Sequence, residues 1–498
     1  MKEIPYALTI FRSRFYPALL RWPVLLGFTF ILPTLLLGPQ DKHLNLALVT
    51  VWFLWWPLFT ILFLFVGRLW CAFCPFAMVG ELLQKFTCQK MPTPRIFKKY
   101  GIWVGGSLIL FIIWIEKTFF LHHSPYLTAI LLCGIQFAVC VTYVLYKKRT
   151  WCRYICPLGE IGRIYAKIGM IQLNATPRKC KLCRAVACLN GSINDKGCPM
   201  SQSAPNLKSS ADCIYCGLCV KNCPNDSIRI NLRIPSQELW GFIKPQLDES
   251  VIVSCLLGIL TIIGFAEANH SWFFTAVGSH QYVIFTALYL LAMVVSVALI
   301  ALASRWASTF NDSPAILNFS TFNYTLVPLL LSIHIGRNLS DLYTGGHELL
   351  FLLTERIFHL GHQPVPPLAA DSPLITVLQF IFLIIGFFLS IHAASYILKT
   401  SIKSEKRRDS VLPPAIVPFV TIFFFITVLH GTLFLSPHAE LFPYAALFCL
   451  SVVLWSCLFI RGYISNEANK TPATARPVFC RMDGELVLKR VKVHAYSD

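Results

Sequence analysis

The sequence predicts a mainly α fold: a polytopic membrane helix bundle of about ten helices with a small α+β domain inserted into it. Three observations carry this. Of 498 residues, 56% are hydrophobic and only 13% are charged. That is about half the charge of an average soluble domain, and a single soluble core stops growing near ~250–300 residues. The apolar residues fall in runs of about 20, the length that crosses a bilayer. One polar stretch, 147–247, interrupts these runs, and eight of the 19 cysteines lie within it between Cys180 and Cys223. The same composition excludes intrinsic disorder and collagen-like repeats.

The expected spans lie near 19–38, 46–67, 102–120, 125–146, 249–267, 281–303, 316–336, 373–398, 413–433 and 441–461. The net charge of +19, from 43 Lys+Arg against 24 Asp+Glu, is concentrated beside these runs. In a membrane chain such an excess reports orientation, so lipid and not nucleic acid is the expected partner. With Arg12, Arg14 and Arg21 inside, alternation puts Arg68, Lys98–Lys99, Lys147–Arg149, Lys399–Arg408 and the C-terminal tail on the same side. Lys42, Lys117, Arg337 and Arg356 fall outside. The first run is too long for a signal-peptide core, so it is expected to stay as an anchor. The segment 338–371 is expected as the longest external one, with its stretch His347–His359 apolar enough to lie along the interface. The expected domains are 1–171, a membrane region with a duplicated hairpin; 172–235, the cysteine-rich domain; 248–465, the C-terminal helices; and 466–498, a tail.

Residues 213–224 read Cys-Ile-Tyr-Cys-Gly-Leu-Cys-Val-Lys-Asn-Cys-Pro, the C-x2-C-x2-C-x3-C-P run of bacterial ferredoxins. Zinc is the alternative for C-x2-C pairs, but three evenly spaced cysteines followed by Cys-Pro suit it poorly. Upstream, Cys180, Cys183 and Cys188 precede Cys198-Pro199, the same plan with a longer third interval. In two-cluster ferredoxins the fourth cysteine of each run ligates the other run's cluster. This assigns Cys180, Cys183, Cys188 and Cys223 to one 4Fe–4S cluster, and Cys213, Cys216, Cys219 and Cys198 to a second. The irregular first run leaves a 3Fe–4S cluster open. Arg178, Lys179, Lys181 and Arg184 crowd the first site. Such charge either raises a cluster potential and attracts an acidic donor or simply marks the inner side.

Two further pairs end membrane helices. Trp70-Cys71-Ala72-Phe73-Cys74-Pro75 follows the second span and Trp151-Cys152-Arg153-Tyr154-Ile155-Cys156-Pro157 follows the fourth. Gly80 matches Gly162 and Lys85 matches Lys167, which reads as a duplicated helix hairpin. A twofold relation along the membrane normal would bring Cys71, Cys74, Cys152 and Cys156 near each other. Such thiols bind metal or cycle between dithiol and disulfide, with buried packing cysteines as the bland alternative. The scattered Cys88, Cys133, Cys140, Cys255, Cys449, Cys457 and Cys480 read as small hydrophobes in helix packing.

Together these motifs resemble the NapH/NosR/CcoG group of polyferredoxin-like membrane proteins, over roughly residues 45–235. The resemblance implies hairpins bearing Cys-Pro motifs, a cytoplasmic two-cluster ferredoxin-like domain, and a multi-pass protein of the bacterial inner membrane. It implies electron transfer that links a quinol or a cytoplasmic donor to a respiratory or metal-reducing partner. In CcoG-like members the implied activity is copper-ion reduction. The chain differs in its first pair, C-x2-C-P and not C-x3-C-P, and in its irregular first ferredoxin run. It also differs in having no flavin-binding domain of the NosR type and in about six helices after residue 248.

In those helices His334 and His430 are placed near outer ends and are candidates for a b-type haem or a quinol site. His347, His359, His362 and His438 are candidates for an outer metal site, and interfacial packing is the bland reading for all six. The absence of C-x-x-C-H disfavours covalent haem. Three functions follow from the sequence: an electron-transfer component rather than a stand-alone enzyme, a metal-ion reductase using the Cys-Pro thiols, and a redox-gated transporter or sensor.

Overall fold

The computed structural model describes residues 2–87, 91–181, 183–193, 195–241, 245–268, 281–311, 313–358, 372–401, 405–435, 476–482 and 485–491. Among these, nine helices are long and apolar enough to cross a membrane, so the chain is a mainly α, multi-pass membrane protein. The expected span 441–461 lies outside the described residues, as do Cys88, Cys449, Cys457, His359, His362 and His438. Two compact units divide the chain: Met1–Gln237 with Asn338–Ala370, and Glu238–Arg337 with Asp371–Asp498.

The first unit opens with a short strand β1 (Lys2–Glu3) and a helix α1 (Pro5–Arg12). The spans follow as α2 (Ala18–Leu37), α3 (Leu46–Val66), α5 (Arg95–Phe119) and α6 (Pro125–Leu145), with α4 (Pro75–Phe86) after α3 and α7 (Pro157–Ala166) after α6. Residues Val49–Trp55 of α3 form a π-helical stretch. Strands β2 (Ile171–Ala175) and β3 (Ile228–Leu232) pair antiparallel, and β1 adds to the other edge of β3 in the order β1-β3-β2. Leu8, Leu173, Tyr215, Val220, Ile228 and Ile230 form the core beneath this sheet.

The duplicated hairpins explain the packing. Each short helix after a cysteine pair lies between the first helix of its own hairpin and the second helix of the other: α4 on α2 and α6, α7 on α5 and α3. The matched glycines sit at these crossings. A Cβ at Gly80 would come within 2.7 Å of the Tyr143 ring, and one at Gly162 within 3.3 Å of Phe63. Both helices begin with Pro at the first position, where its missing N–H costs nothing.

The second unit contains α8 (Leu247–Ala268), α9 (Gln281–Ser308), the first part of α10 (Ala315–Phe358), α11 (Pro373–Ser401) and α12 (Glu405–Leu435). Gly258 lets α8 and α9 approach closely, since a Cβ there would lie 2.2 Å from the Ala292 carbonyl. Within it Tyr324 donates to buried Glu249 (2.6 Å) and Ser254 to Asn323 (2.5 Å). Strands β4 (Arg476–Met482) and β5 (Glu485–Val491) form an antiparallel hairpin in the segment expected as a tail.

Residues 338–358, expected as part of an external segment, continue α10 to Phe358. The sequence has no proline between Pro328 and Pro364 to end the helix. Gly345 serves packing, since a Cβ there would collide with Phe53 at 2.1 Å.

Replacing Gly80 with Val should lower the thermal stability of the detergent-solubilised protein by about 1–3 kcal/mol through overpacking against Tyr143. Gly27→Ala in α2, where nothing lies within 4 Å, should leave it unchanged. Equal melting of both variants would show that the crossing tolerates a side chain.

Candidate metal centres

The eight clustered cysteines sit on irregular backbone around the β2–β3 core. The Cys213 sulfur accepts the Tyr215 N–H (3.4 Å), the Cys223 sulfur accepts the Ser227 N–H (3.3 Å), and the Ser227 hydroxyl lies 3.0 Å from the Cys180 sulfur. Gly217 has φ +77, a left-handed turn that residues with a Cβ rarely adopt. Burial and then the Tyr215 N–H, Cys216 and Cys198 act on Cys213, with a net upward push. Cys216 is raised to about 11 by burial and by Cys198. Cys219 is raised by burial and then by Cys213, Cys216, Cys198 and Cys188. Cys188 is raised by burial, against a bond from the Ala204 N–H, and then by Cys223, Cys180 and Cys183. The eight thiols thus form one neighbourhood, in which Cys219 also feels Cys188 of the first run.

A cover over the second set was not foreseen from sequence. The Phe11 carbonyl and the Tyr16 ring would lie 3.0 and 3.2 Å from a Cβ at Gly217. Tyr16 donates to the Tyr215 carbonyl (2.5 Å), Lys221 Nζ donates to the Tyr16 carbonyl (2.6 Å), and Arg12 pairs with Asp226. Burial and then Cys216 and Cys213 push the Tyr16 hydroxyl up. The sequence reading took from this flank only the positive charge of Arg12, Arg14 and Arg21.

The four Cys-Pro thiols come together. Burial pushes Cys156 well up, and Cys152, Cys71 and Cys74 add to it. Cys74 is pushed up to about 12 by burial and then by Cys152. The repeat is kept in position: Cys74 and Cys156 stand just before α4 and α7. The Cys156 sulfur accepts the Gly159 N–H at 3.2 Å, whereas the Cys74 side chain makes no cap bond. Tyr143 Oη lies 3.5 Å from the Cys152 sulfur.

Two buried arginines flank these thiols. Arg149 donates to the Cys71 carbonyl (2.6 Å) and to Glu81 (2.6 Å), which also pairs with Arg21. Arg68, 1% exposed, donates to the Ala211 carbonyl (2.6 Å) and the Cys152 carbonyl (3.3 Å). The sequence reading counted both as orientation signals. Gly159 makes room for Arg68, whose guanidinium would be 3.2 Å from a Cβ there. Among the described residues no group of three or more His, Cys, Asp or Glu closes around a single ion, the arrangement that one tetrahedral zinc requires.

In the second unit, His334 is buried in α10, and His430 is buried in α12 with its Nε2 3.3 Å from the Thr261 hydroxyl. His347 lies within α10 in the first unit.

Comparison with known proteins adds an independent line. A protein-family model described as a 4Fe-4S binding domain matches residues 48–94 and 128–172, and a second of the same description matches 208–229. An uncharacterized protein of Methanocaldococcus jannaschii is 25% identical over 176 residues, 34% of this chain and 66% of that one. The ferredoxin-type protein NapH of Escherichia coli is 26% identical over 188 residues, 35% of this chain and 66% of its own. The putative electron transport protein YccM of Escherichia coli is 25% identical over 142 residues, 28% of this chain and 37% of its own. The alignments thus leave at least a quarter of each of these relatives, and some two thirds of this chain, unmatched. No solved structure matches the chain. These matches bear out the resemblance to NapH-type polyferredoxin-like membrane proteins and the presence of 4Fe–4S binding domains.

Burial alone would raise the Glu81 carboxyl, but the guanidiniums of Arg149 and Arg21 hold it at about 2, below its ordinary 4.5. Its contribution to stability is therefore complete above about pH 4.5 and is lost as pH falls through about 2. Glu81→Gln, which leaves buried Arg149 without its carboxylate, should cost about 3 kcal/mol at neutral pH, the low end for a broken buried pair, because Glu81 is partly accessible. It should also flatten the acid limb of stability measured by thermal unfolding in detergent at stepped pH. An unaltered acid limb would remove Glu81 as its source.

Proposed function

We propose that this chain is an electron-transfer protein of the bacterial inner membrane that carries single electrons through two 4Fe–4S clusters. One is held by Cys180, Cys183, Cys188 and Cys223, the other by Cys213, Cys216, Cys219 and Cys198. The observation that carries the reading is the gathering of eight cysteines around one small sheet core, with Cys213, Cys219, Cys223 and Cys188 packed against it and the run 213–224 in ferredoxin spacing. The match of residues 208–229, which hold Cys213, Cys216, Cys219 and Cys223, to a 4Fe-4S binding domain supports it, as does the similarity to a ferredoxin-type protein and a putative electron transport protein.

When bound, such clusters take up and release one electron at a time. The chain's own residues do the rest. The N–H groups of Tyr215 and Ser227 donate to ligand sulfurs, which favours the more negative reduced state. Leu8, Val220, Ile228 and Ile230 shield the site from water, and the Tyr16 ring covers Gly217. The basic flanks support a cytoplasmic side for this domain and both termini, where a soluble redox protein is a fitting partner. A quinol is the fitting donor from the membrane. His430 and His334 are the residues to test for contact with a quinol or a b-type haem.

The cross-ligation gives a direct test in the full-length protein, purified without oxygen and reduced with dithionite. Cys198→Ser should alter the same EPR signal as Cys216→Ser and spare the one altered by Cys180→Ser, although Cys198 belongs to the first run. No iron–sulfur signal in the wild-type protein would overturn the function. A shared effect of Cys198→Ser and Cys180→Ser would overturn the ligand assignment.

A further inference from the structure

We propose that the basic groove beside Cys223 is the docking site of a small soluble protein that is acidic and carries a one-electron centre. The groove measures about 450 Å³. Arg12 and Arg14 line it from the N-terminal segment, Asp195 from the insertion between Cys188 and Cys198, and Lys221, Cys223 and Asp226 from the end of the ferredoxin run. The proposal rests on the electron-carrier reading, in which Cys223 holds the first cluster.

The two sets of cysteines differ in access. No residue from 210 to 223 is exposed, and the Phe11 carbonyl and Tyr16 ring stand over Gly217 of the second set. The first set has exposed flanks: Arg178, Lys179, Lys181 and Arg184 beside Cys180 and Cys183, and Pro224 and Asn225 beside Cys223. A soluble partner therefore finds its open approach at the first set. Its charge follows from the surface it meets. Between 172 and 235, nine Lys and Arg stand against three Asp. Two clusters with their thiolates would offset about four of these positive charges, so the surface stays cationic and draws an acidic protein from a distance. Asp195 and Asp226 sit among the cations of the groove. A protein can complement such a mixed pattern point by point, whereas a uniformly anionic lipid surface cannot.

The insertion that makes the first run irregular builds one wall of the site. The Ser192 N–H donates to the Asp195 carbonyl (2.9 Å), and Gly191 bridges to Lys196 across the loop. Gly197 permits this closure, since a Cβ there would lie 2.1 Å from the Leu189 carbonyl. The Ser192 hydroxyl donates to Asn222 Oδ1 (2.5 Å), and Asn222 Nδ2 donates to the Lys196 carbonyl (2.8 Å). The loop is thus fixed to the residue before Cys223, and it holds Ile193 fully exposed. A small apolar tip beside a charged rim suits a weak, electrostatically steered redox encounter. A docked carrier gains or loses one electron at Cys223 as the chain loses or gains it.

The test measures binding by the full-length protein, purified without oxygen and set in phosphatidylcholine nanodiscs. The probes are two acidic one-electron carriers, a plant-type 2Fe–2S ferredoxin and a flavodoxin. At least one should bind, and its Kd should rise about tenfold between about 20 and 200 mM salt. Arg14→Glu and Ile193→Asp should each raise the Kd about fivefold with the iron content unchanged. Lys99→Glu, which reverses an exposed cation at the start of α5, should leave it as in wild type. Binding by neither carrier, binding that salt does not weaken, or an equal loss with Lys99→Glu would overturn the proposal. Binding that disappears when phosphatidylglycerol replaces phosphatidylcholine would assign the patch to lipid and overturn it as well. Absence of iron–sulfur EPR signals from the dithionite-reduced wild type would strike the proposed function, whereas intact signals without binding strike the docking site alone.

Discussion

Three buried guanidiniums hold the irregular backbone of the N-terminal unit. Helices and strands satisfy their own peptide groups, but the segments that carry the cysteines do not, and a buried unpaired carbonyl is costly. Arg68 joins the carbonyls of Ala211 and Cys152, and Arg149 holds that of Cys71. Arg233 takes those of Gly169, Ala166 and Lys167. Each arginine brings five donors in a rigid fork, so one side chain fixes segments that no ladder connects. The charges themselves require compensation. Glu81 provides it for Arg149 and Arg21, and the sulfur sites provide the setting for Arg68.

The duplicated hairpin makes this arrangement reachable. A single Cys-Pro hairpin delivers two thiols at one helix end. Two copies, each lodging its trailing helix against the other through Gly80 or Gly162, deliver four to one place. The extra residue in the second copy, C-x3-C against C-x2-C, is absorbed in the turn Thr150–Tyr154 and does not move the cap at Cys156.

What the sequence made legible follows from where its signals are strong. Apolar runs of bilayer length have few alternative structures, so the described spans appear within a few residues of expectation at most ends. The ferredoxin run and the matched Cys-Pro pairs are short, rigid ligand patterns and carry their chemistry in their spacing. Arg68 and Arg149 were legible only as positive charge, because a basic residue beside a membrane span looks the same whether it faces water or binds carbonyls. The overrun of α10 was hidden because the apolar run ends near 336 while the helix goes on to Phe358, where Gly345 gives clearance for Phe53. A two-residue strand such as β1 has no period to detect.

That strand has a consequence for biogenesis. Lys2 and Glu3 pair with Leu232 and Asn231, so they join partners made more than two hundred residues later. Four membrane spans have to be threaded in the meantime, and the leading segment waits unpaired throughout. Contacts this distant along the chain form slowly. The lid over Gly217 therefore closes last, leaving the surrounding thiols open to whatever machinery loads them until the final strand arrives.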